Sequence, residues 1–319
     1  MIKFLKKVAK LLGIKRKKPE IKIEYLKNLP DTADERSQCP FCSNARYVVK
    51  NEYEINSLIE RWKNQYAFVP FSDCYKGKTL QRRICLNCGT NYYNYFLPDT
   101  EEFYEKLTSL HPIYSKNKWD YDEALEIVLK YKPKSLLDVG CGYGYFIEKI
   151  QNAVDAAAGS EFNQLAVDEC NKKGIKVYTS DLSQIEEKFS MITAFQVLEH
   201  IKEPDNFVKK LLELLDKNGL LLFVTPNPKS ELIKYNPGIL ELPPHHNLDI
   251  SKETFEYIAK QHNLKILLYK CQEIMPYDYN IYLQSKYGLY LDNTALYDKY
   301  ILEKNSLVGK SHLVLFEKM

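Results

Sequence analysis

The sequence predicts an α/β protein built on a doubly wound, mostly parallel β-sheet. Three observations predict it. From about residue 120 to residue 319, short apolar runs alternate with amphipathic stretches, as strands and helices do in right-handed crossovers. One apolar run ends in a glycine-rich turn. Polar side chains follow several of these runs, and in a parallel sheet the carboxyl ends of the strands form the edge that binds ligands.

The glycine-rich turn belongs to the stretch SLLDVGCGYGYF, residues 135–146. Its apolar run has the length of one buried strand, and the FIEKI that follows the turn is typical of a helix. Gly140, Gly142 and Gly144 leave backbone N–H groups open to a ligand. Asp138 adds a carboxylate that can hold a cationic amine. A strand, a glycine turn and a helix in this order predict a Rossmann-like ligand site.

Polar residues also end the strands that are predicted next. Glu161 comes 23 residues after Asp138, a spacing at which a carboxylate accepts hydrogen bonds from ribose hydroxyls. Asp181 and Leu182 offer an acceptor for an adenine amino group and an apolar edge for its ring, and Gln196 ends a further strand. A glycine turn alone would also fit an NAD enzyme or a plain tight turn. The ordered set favours a nucleotide site.

Charge is distributed unevenly along the chain. Residues 1–18 hold eight basic side chains and no acidic one, and subtracting those eight from the net charge of +3 leaves −5 for the rest. An acidic body does not predict a nucleic-acid footprint, so no nucleic-acid partner is expected. No apolar run reaches the roughly eighteen residues of a membrane-spanning helix. Lysines interrupt the first apolar residues, which argues against a signal peptide.

The basic arm, residues 1–18, has an amphipathic pattern. Its lysines fall on one half of a helical wheel and its apolar side chains on the other. Such a helix can lie on an anionic membrane surface, which would place a cytoplasmic protein peripherally at the inner face of the membrane. It can equally dock its apolar face on the protein's own body. Both interpretations stay open.

Four of the eight cysteines form two CxxC pairs, Cys39 with Cys42 and Cys85 with Cys88. The small number of cysteines and their paired spacing favour a reducing compartment, and they favour metal binding over disulfides. Each pair can bring two thiolates to one Zn²⁺ ion, and the two pairs complete a tetrahedral site with no open position. The sequence therefore predicts a structural zinc in a small N-terminal zinc-ribbon-like module. The 42 residues between the pairs form an insertion, and Cys74 within it is expected to be an ordinary thiol.

Residues 135–225 resemble the class I S-adenosylmethionine-dependent methyltransferases. Five segments carry the resemblance: DVGCGYG at 138–144, GSE at 159–161, Asp181, FQVLEHIKEPDNF at 195–207 with its Val-Leu-Glu-His signature, and GLLLFVTPNP at 219–228. The fourth segment is not expected in an NAD enzyme. The resemblance implies that S-adenosylmethionine is the cofactor and that it is bound by Asp138, Gly140, Gly142, Gly144, Glu161, Phe162, Asp181, Leu182 and Gln196.

The cysteine pairs followed by a FYEKL helix are similar to the start of bacterial methyltransferases of sugar and cell-surface glycan biosynthesis. This resemblance implies a sugar or glycan acceptor in polysaccharide biosynthesis, methylated at oxygen. Three alternatives stay open. They are methyl transfer to carbon of a nucleotide sugar, methylation of RNA, and a zinc scaffold without catalytic activity.

A methyltransferase that acts on a hydroxyl must remove its proton, and a neutral histidine is the usual base. His245 and His246 lie in LPPHHNLDISKETF, after the fifth predicted strand and at the mouth through which an acceptor would enter. We predict both as catalytic candidates, with a preference for His246, and with loop ordering as the alternative role. His200 is expected to shape the loop beside the cofactor, and His262 to lie at the surface.

Three regions follow from these patterns. They are the arm at residues 1–18, a zinc-binding module at residues 19–100, and a methyltransferase domain at residues 101–319.

Overall fold

The computed structural model describes residues 23–27, 29, 32–110, 114–179, 181–235, 238–287 and 307–319. The predicted basic arm lies outside these ranges. Within them, no helix is both long enough and apolar enough to cross a membrane.

The described residues form the following elements. The strands are β1 (Glu24–Tyr25), β2 (Asp34–Glu35), β3 (Tyr47–Glu54), β4 (Phe68–Val69), β5 (Thr79–Cys85), β6 (Asn91–Tyr93), β7 (Tyr95–Phe96), β8 (Ser135–Val139), β9 (Ala156–Ser160), β10 (Lys176–Tyr178), β11 (Phe189–Phe195), β12 (Leu215–Pro226), β13 (Leu248–Asp249), β14 (Leu264–Glu273) and β15 (Val308–Lys318). The α-helices are α1 (Ile55–Tyr66), α2 (Glu101–Leu110), α3 (Trp119–Tyr131), α4 (Tyr145–Ile150), α5 (Gln164–Lys172), α6 (Pro204–Leu214), α7 (Glu231–Tyr235), α8 (Lys252–Gln261) and α9 (Pro276–Tyr287). Short 3₁₀ turns cover Asp73–Tyr75, Leu182–Gln184, Leu198–His200 and Ile239–Glu241.

The central sheet has seven strands in the order β10-β9-β8-β11-β12-β15-β14. Strands β8 to β12 pair in parallel, and β15 runs antiparallel to both of its neighbours. Helices cover both faces. Leu136 packs with α3 and α4 on one face, and Leu137 packs with α6 and α8 on the other, as successive residues of a strand must. This topology confirms the predicted Rossmann-like, mostly parallel α/β fold.

One predicted boundary differs from the structure. The sequence DNFVKKLLELLDKNG, residues 205–219, predicts a helix that reaches Gly219, but α6 ends at Leu214. Leu215 takes an extended conformation, pairs with Phe189 of β11 and is only 2% exposed. Its burial against the sheet therefore outweighs the local helical pattern.

A second sheet, in the order β13-β6-β5-β3, lies in the cysteine-bearing region. Three of its strands come from residues 47–93, but β13 comes from the loop that follows β12 in the central sheet. Leu248 pairs with Tyr92 and Asp249 with Asn91. A strand from the body of the protein thus completes a sheet of the N-terminal region.

Helix α2 also belongs to the packing of the N-terminal region. Phe103 and Leu107 are fully buried in a cluster around Trp62, whose ring centroid lies 5.6 Å from that of Phe103. Ile239 and Leu242, from the same loop as β13, join this cluster. The two regions therefore share a hydrophobic core as well as a sheet.

Candidate active site

A cleft of about 1150 Å³ opens at the carboxyl ends of β8, β9 and β11. One half of its wall is the glycine turn together with the residues that end β9 and β11. The other half contains histidines from two loops and side chains from the start of α2. Both halves are continuous, so two molecules bound in the cleft would lie side by side.

Backbone hydrogen bonds join the glycine turn to the end of β9. The N–H groups of Gly140 and Cys141 both donate to the carbonyl oxygen of Ser160, at 2.8 and 3.1 Å. Gly142 has a φ of +52°, and a Cβ at this position would lie 2.6 Å from the ring of Tyr114. Only glycine fits this backbone conformation and this close contact without strain. Tyr114 therefore lies directly against the turn.

Glu161 connects the end of β9 to the glycine turn. Its carboxylate accepts hydrogen bonds from the backbone N–H groups of Gly142, Phe162 and Asn163, at 2.9, 2.8 and 2.9 Å. The Phe162 side chain is 70% exposed beside the carboxylate and lines the cleft. A carboxylate and an exposed ring are thus adjacent on this wall.

Asp181, Leu182 and Gln196 also line this half of the cleft. Hydrogen bonds from the Ser183 backbone N–H and from Lys210 lower the pKa of Asp181, which keeps its carboxylate ionised. Leu182 is 6% exposed and contributes an apolar edge. Gln196 has a φ of +56°, an uncommon value for a residue with a side chain.

Two of the predicted cofactor residues do not lie on the wall of the cleft. Asp138 is 1% exposed, and its Oδ1 accepts a hydrogen bond from Thr193 Oγ1 at 2.7 Å. Burial raises the pKa of Asp138 to about 7. Gly144 precedes the first residue of α4 with a φ of +71°, where a Cβ would meet Ile175. Both residues lie next to the glycine turn in sequence but outside the cleft wall.

The other half of the cleft brings His200, His245 and His246 together. One ring nitrogen from each lies within 4.8 Å of the other two. The rings of His245 and His246 stack with centroids 4.4 Å apart, and the His200 ring stands nearly perpendicular to that of His245 at 4.9 Å. His245 and His246 were predicted to be at the acceptor mouth. His200 was expected only beside the cofactor.

Each histidine has an oxygen near Nδ1. His200 Nδ1 lies 2.9 Å from Asp99 Oδ2, and His245 Nδ1 lies 2.9 Å from the Leu240 carbonyl oxygen. His246 Nδ1 lies 3.4 Å from Glu241 Oε2.

The three histidines differ in pKa. Burial lowers the pKa of His200, but the hydrogen bond that its ring donates to Asp99 and the charge of that carboxylate outweigh burial and raise the pKa. Burial lowers the pKa of His245 and His246 well below the usual value, and the neighbouring histidines lower it further. His245 and His246 are therefore neutral imidazoles at pH 7.

Asp99 and Tyr104 are functional candidates that the sequence reasoning missed. The Tyr104 hydroxyl donates to Asp99 Oδ2 at 2.6 Å and lies 3.1 Å from His200 Nδ1. Both residues precede the central sheet by many residues, and no motif marks them. The sequence predicted the FYEKL helix, which is α2, but its relation to His200 depends on how the two regions pack.

The two CxxC pairs converge as their spacing predicts. One sulfur atom from each of Cys39, Cys42, Cys85 and Cys88 lies within 4.8 Å of the other three. In each turn the residue after the second cysteine, Ser43 or Gly89, donates its backbone N–H to the carbonyl of the first. Four thiols converging in this way form a donor set that suits Zn²⁺.

Cys74 and His262 lie outside the two clusters of possible metal ligands. Cys74 lies outside the cysteine cluster and contacts Ser72 Oγ at 2.8 Å, as an ordinary thiol would. His262 was expected at the surface, but its side chain is only 8% exposed and Nε2 lies 2.8 Å from Asp205 Oδ1. The prediction for His262 was wrong, because α8 and α6 pack against each other at this point.

A protein-family model described as a methyltransferase domain matches residues 118–269. The match begins at the end of the loop before α3 and includes the glycine turn, Glu161, Asp181 and the three histidines. With the fold of the central sheet, it supports the prediction that this part of the chain is a class I methyltransferase domain.

The curated relatives of this chain share limited sequence identity with it. A ubiquinone biosynthesis O-methyltransferase of Coxiella burnetii (strain RSA 493 / Nine Mile phase I) is 28% identical over 112 residues, covering 32% of this chain and 48% of the relative. The enzyme of that name from Histophilus somni is 28% identical over 193 residues, covering 51% and 76%. The chain thus spans about half the length of the Coxiella relative.

Among solved structures, coclaurine N-methyltransferase is similar to this chain at 13% identity and a TM-score of 0.45, over 62% of this chain and 72% of that one. A methyltransferase from Archaeoglobus fulgidus is 18% identical with a TM-score of 0.42, over 62% and 94%. At these identities and scores the likenesses say nothing about the acceptor.

Proposed function

We propose that this protein is an S-adenosylmethionine-dependent methyltransferase that methylates an oxygen atom of a sugar or glycan precursor in cell-surface polysaccharide biosynthesis. One observation carries the proposal. A single cleft joins the glycine turn and Glu161 to a cluster of three histidines. The first half suits a nucleoside cofactor, and the second suits an acceptor from which a proton must be removed.

The cofactor half would hold S-adenosylmethionine in the following way. The backbone of Gly140 and Gly142 would lie against the methionine part, and the Glu161 carboxylate would accept hydrogen bonds from the ribose. Asp181 and the apolar side chains of Phe162 and Leu182 would receive the adenine. Buried Asp138 would hold the methionine amino group through a water molecule.

Bound S-adenosylmethionine would supply an electrophilic methyl group. The residues of this chain must hold an acceptor hydroxyl in line with that group and receive its proton. As the new oxygen–carbon bond forms and the sulfur–carbon bond breaks, the bonding electron pair stays on sulfur. The neutral imidazoles of His245 and His246 are at the end of the cleft where the proton must be received.

One observation supports the methylated atom, and another supports the class of acceptor. The relatives named ubiquinone biosynthesis O-methyltransferase favour oxygen as the methylated atom. The choice of a sugar or glycan depends on the resemblance of the CxxC pairs and the FYEKL helix to enzymes of glycan biosynthesis.

The cysteine cluster would hold one structural Zn²⁺ ion. Cys39, Cys42, Cys85 and Cys88 supply four thiolates, which leaves no coordination position for a substrate. The ion would stabilise the turns next to β5 and β6, and so the sheet to which β13 belongs.

The protein would be cytoplasmic, and its arm at residues 1–18 would contact the inner face of the membrane peripherally. Its lysines would contact anionic headgroups and its apolar side chains the acyl boundary. The test is co-sedimentation with anionic liposomes. Full-length protein should pellet with them, and a variant lacking residues 1–18 should not; equal pelleting would exclude this role.

Transfer of labelled methyl groups tests the function. The protein is incubated with labelled S-adenosylmethionine and separate extracts of nucleotide sugars, glycolipids and RNA, with Glu161→Ala as the inactive control. Label in a carbohydrate fraction, released as an O-methyl sugar, is the expected result. Label in RNA alone, or no heat of binding with millimolar cofactor in calorimetry, would overturn the proposal.

A further inference from the structure

The histidine cluster has the features of a metal site distinct from the four cysteines. We propose that His200, His245 and His246 bind a divalent transition-metal ion at the acceptor end of the cleft. One nitrogen from each ring lies within 4.8 Å of the others, so small side-chain movements would bring all three onto one ion. The role of this ion in catalysis rests on the proposed function, whereas its binding does not.

The first argument is the way in which the rings are held. Each Nδ1 is next to an oxygen atom, from Asp99 for His200, from the Leu240 carbonyl for His245 and from Glu241 for His246. Metal-binding histidines typically use one ring nitrogen for an oxygen partner of this kind, which orients the other nitrogen toward the ion. Nε2 is the nitrogen on the opposite edge of each ring.

The second argument is independent of the histidines' own partners. Glu199 is 0% exposed, and neither oxygen of its carboxylate has a hydrogen-bond partner among the residues that the structure describes. Glu199 Oε1 lies 4.0 Å from His200 Nε2. A buried carboxylate without such partners is costly, and a cation among the neighbouring imidazoles would offset that cost.

The donor set indicates which ions would bind. Three imidazoles with a nearby carboxylate suit Zn²⁺, Co²⁺, Fe²⁺ or Ni²⁺, whereas Mg²⁺ and Ca²⁺ prefer sites made of oxygen atoms. The carboxylates of Asp99, Glu199 and Glu241 surround the cluster and favour a positive charge there.

An ion at this place would change how an acceptor hydroxyl is activated. Three imidazoles leave coordination positions open toward the cleft, as in catalytic zinc sites. A hydroxyl bound to the ion loses its proton more readily, and the Glu241 carboxylate on the cleft wall can receive that proton. His245 and His246 would then act as metal ligands, and the ion would replace a free imidazole as the activating group.

Metal analysis of the whole chain tests the site. Purified protein is dialysed against Zn²⁺ with a weak chelator, and the metal bound per chain is measured by mass spectrometry. Wild type should hold two ions, and His245→Ala and His246→Ala should each hold one. His262→Gln is the matched control, because this histidine pairs with Asp205 away from the cluster. It should hold two ions.

Titration with Co²⁺ distinguishes the two sites. Occupation of the cysteine cluster produces a thiolate-to-metal charge-transfer band, and occupation of the histidine cluster adds visible ligand-field absorption without that band. Asp99→Asn should weaken binding of the ion at the histidine cluster by roughly 10- to 100-fold and leave binding at the cysteine cluster unchanged. Calorimetry with S-adenosylmethionine confirms that each variant is folded.

The outcomes separate the two proposals. Equal metal content in wild type and in the His245→Ala, His246→Ala double variant would overturn the metal site. Full methyl transfer by protein that retains only the cysteine-bound ion would overturn the role of the second ion in catalysis and leave the proposed function in place. A second ion at the histidines, with no methyl transfer to any extract, would support the site and count against the function.

Discussion

The Asp99 carboxylate lies 2.9 Å from Nδ1 of His200 and joins the segment before α2 to the turn after β11. The hydroxyl of Tyr104, on α2, donates a hydrogen bond to the same carboxylate. The N-terminal region therefore contributes more to the protein than the four-cysteine cluster. It positions a histidine of the cleft.

Asp99→Asn should lower turnover by roughly 10- to 100-fold, because the amide holds the His200 ring less firmly and removes a negative charge beside it. The dissociation constant for S-adenosylmethionine should not change, since the predicted cofactor residues that line the cleft belong to its other half. Steady-state kinetics and calorimetry check the two parts. If cofactor affinity fell together with turnover, Asp99 would have a general structural role instead.

Glu161→Gln should weaken S-adenosylmethionine binding by roughly 10- to 100-fold, the equivalent of a charged hydrogen bond. The glutamine side chain would turn an N–H donor toward one of the backbone N–H groups that the carboxylate now accepts. Calorimetry measures the change. Glu169→Gln, on the exposed face of α5 beside Lys172, is the control and should bind normally. Equal affinities for both variants would count against the site.

Asp138→Asn should make the protein more stable above pH 7. The pKa of Asp138 rises from 3.8 in the unfolded chain to about 7 in the folded protein. Because the folded protein binds the extra proton between these values, the free energy of unfolding falls as pH rises through this window. Above it, wild type bears a cost on the order of 4 kcal/mol. Asparagine avoids that cost and still accepts the bond from Thr193.

Urea unfolding of wild type and Asp138→Asn at pH 8 and pH 4 measures this effect. The variant should be more stable at pH 8, and the difference should largely disappear at pH 4. A difference of the same size at both pH values would show that the carboxylate's ionisation is not the cause.

Removal of the predicted zinc should loosen the acceptor half of the cleft and spare the cofactor half. The cysteine turns adjoin β5 and β6, and β6 pairs with β13. After treatment with a strong chelator, backbone hydrogen exchange should increase in these strands, and turnover should fall. Binding of S-adenosylmethionine should persist, because the glycine turn belongs to the central sheet. Unchanged exchange in β13 would contradict this coupling.

Asp249→Ala should destabilise the protein by about 3–5 kcal/mol, because it leaves the guanidinium of Arg82 buried without its partner. Arg82 Nε donates to Asp249 Oδ2 at 2.7 Å, and the two residues are 8% and 6% exposed. The double variant Arg82→Met, Asp249→Leu should lose less free energy of unfolding than Asp249→Ala alone. Unfolding in denaturant checks both values, and Lys252→Ala, at an exposed pair with Glu256, should cost less than about 1 kcal/mol.

The cofactor half of the cleft and the cysteine cluster could be predicted from the sequence because both depend on short-range geometry. A glycine turn after a strand, a polar residue at each strand end, and two cysteines separated by two residues each determine local structure within a few positions. The repeated alternation of strands and helices then predicted the parallel sheet. Which of these residues bind cofactor or metal stays a prediction.

The acceptor half depended on tertiary structure. His200, His245 and Asp99 come from three distant segments, and their distances arise only when β13 joins the N-terminal sheet and α2 packs near Trp62. Burial of Asp138 and Glu199 is likewise a result of packing. The sequence by itself thus determined the fold class and the local turns. Only the tertiary structure decided which titratable groups meet, because contact between distant segments depends on how whole elements pack.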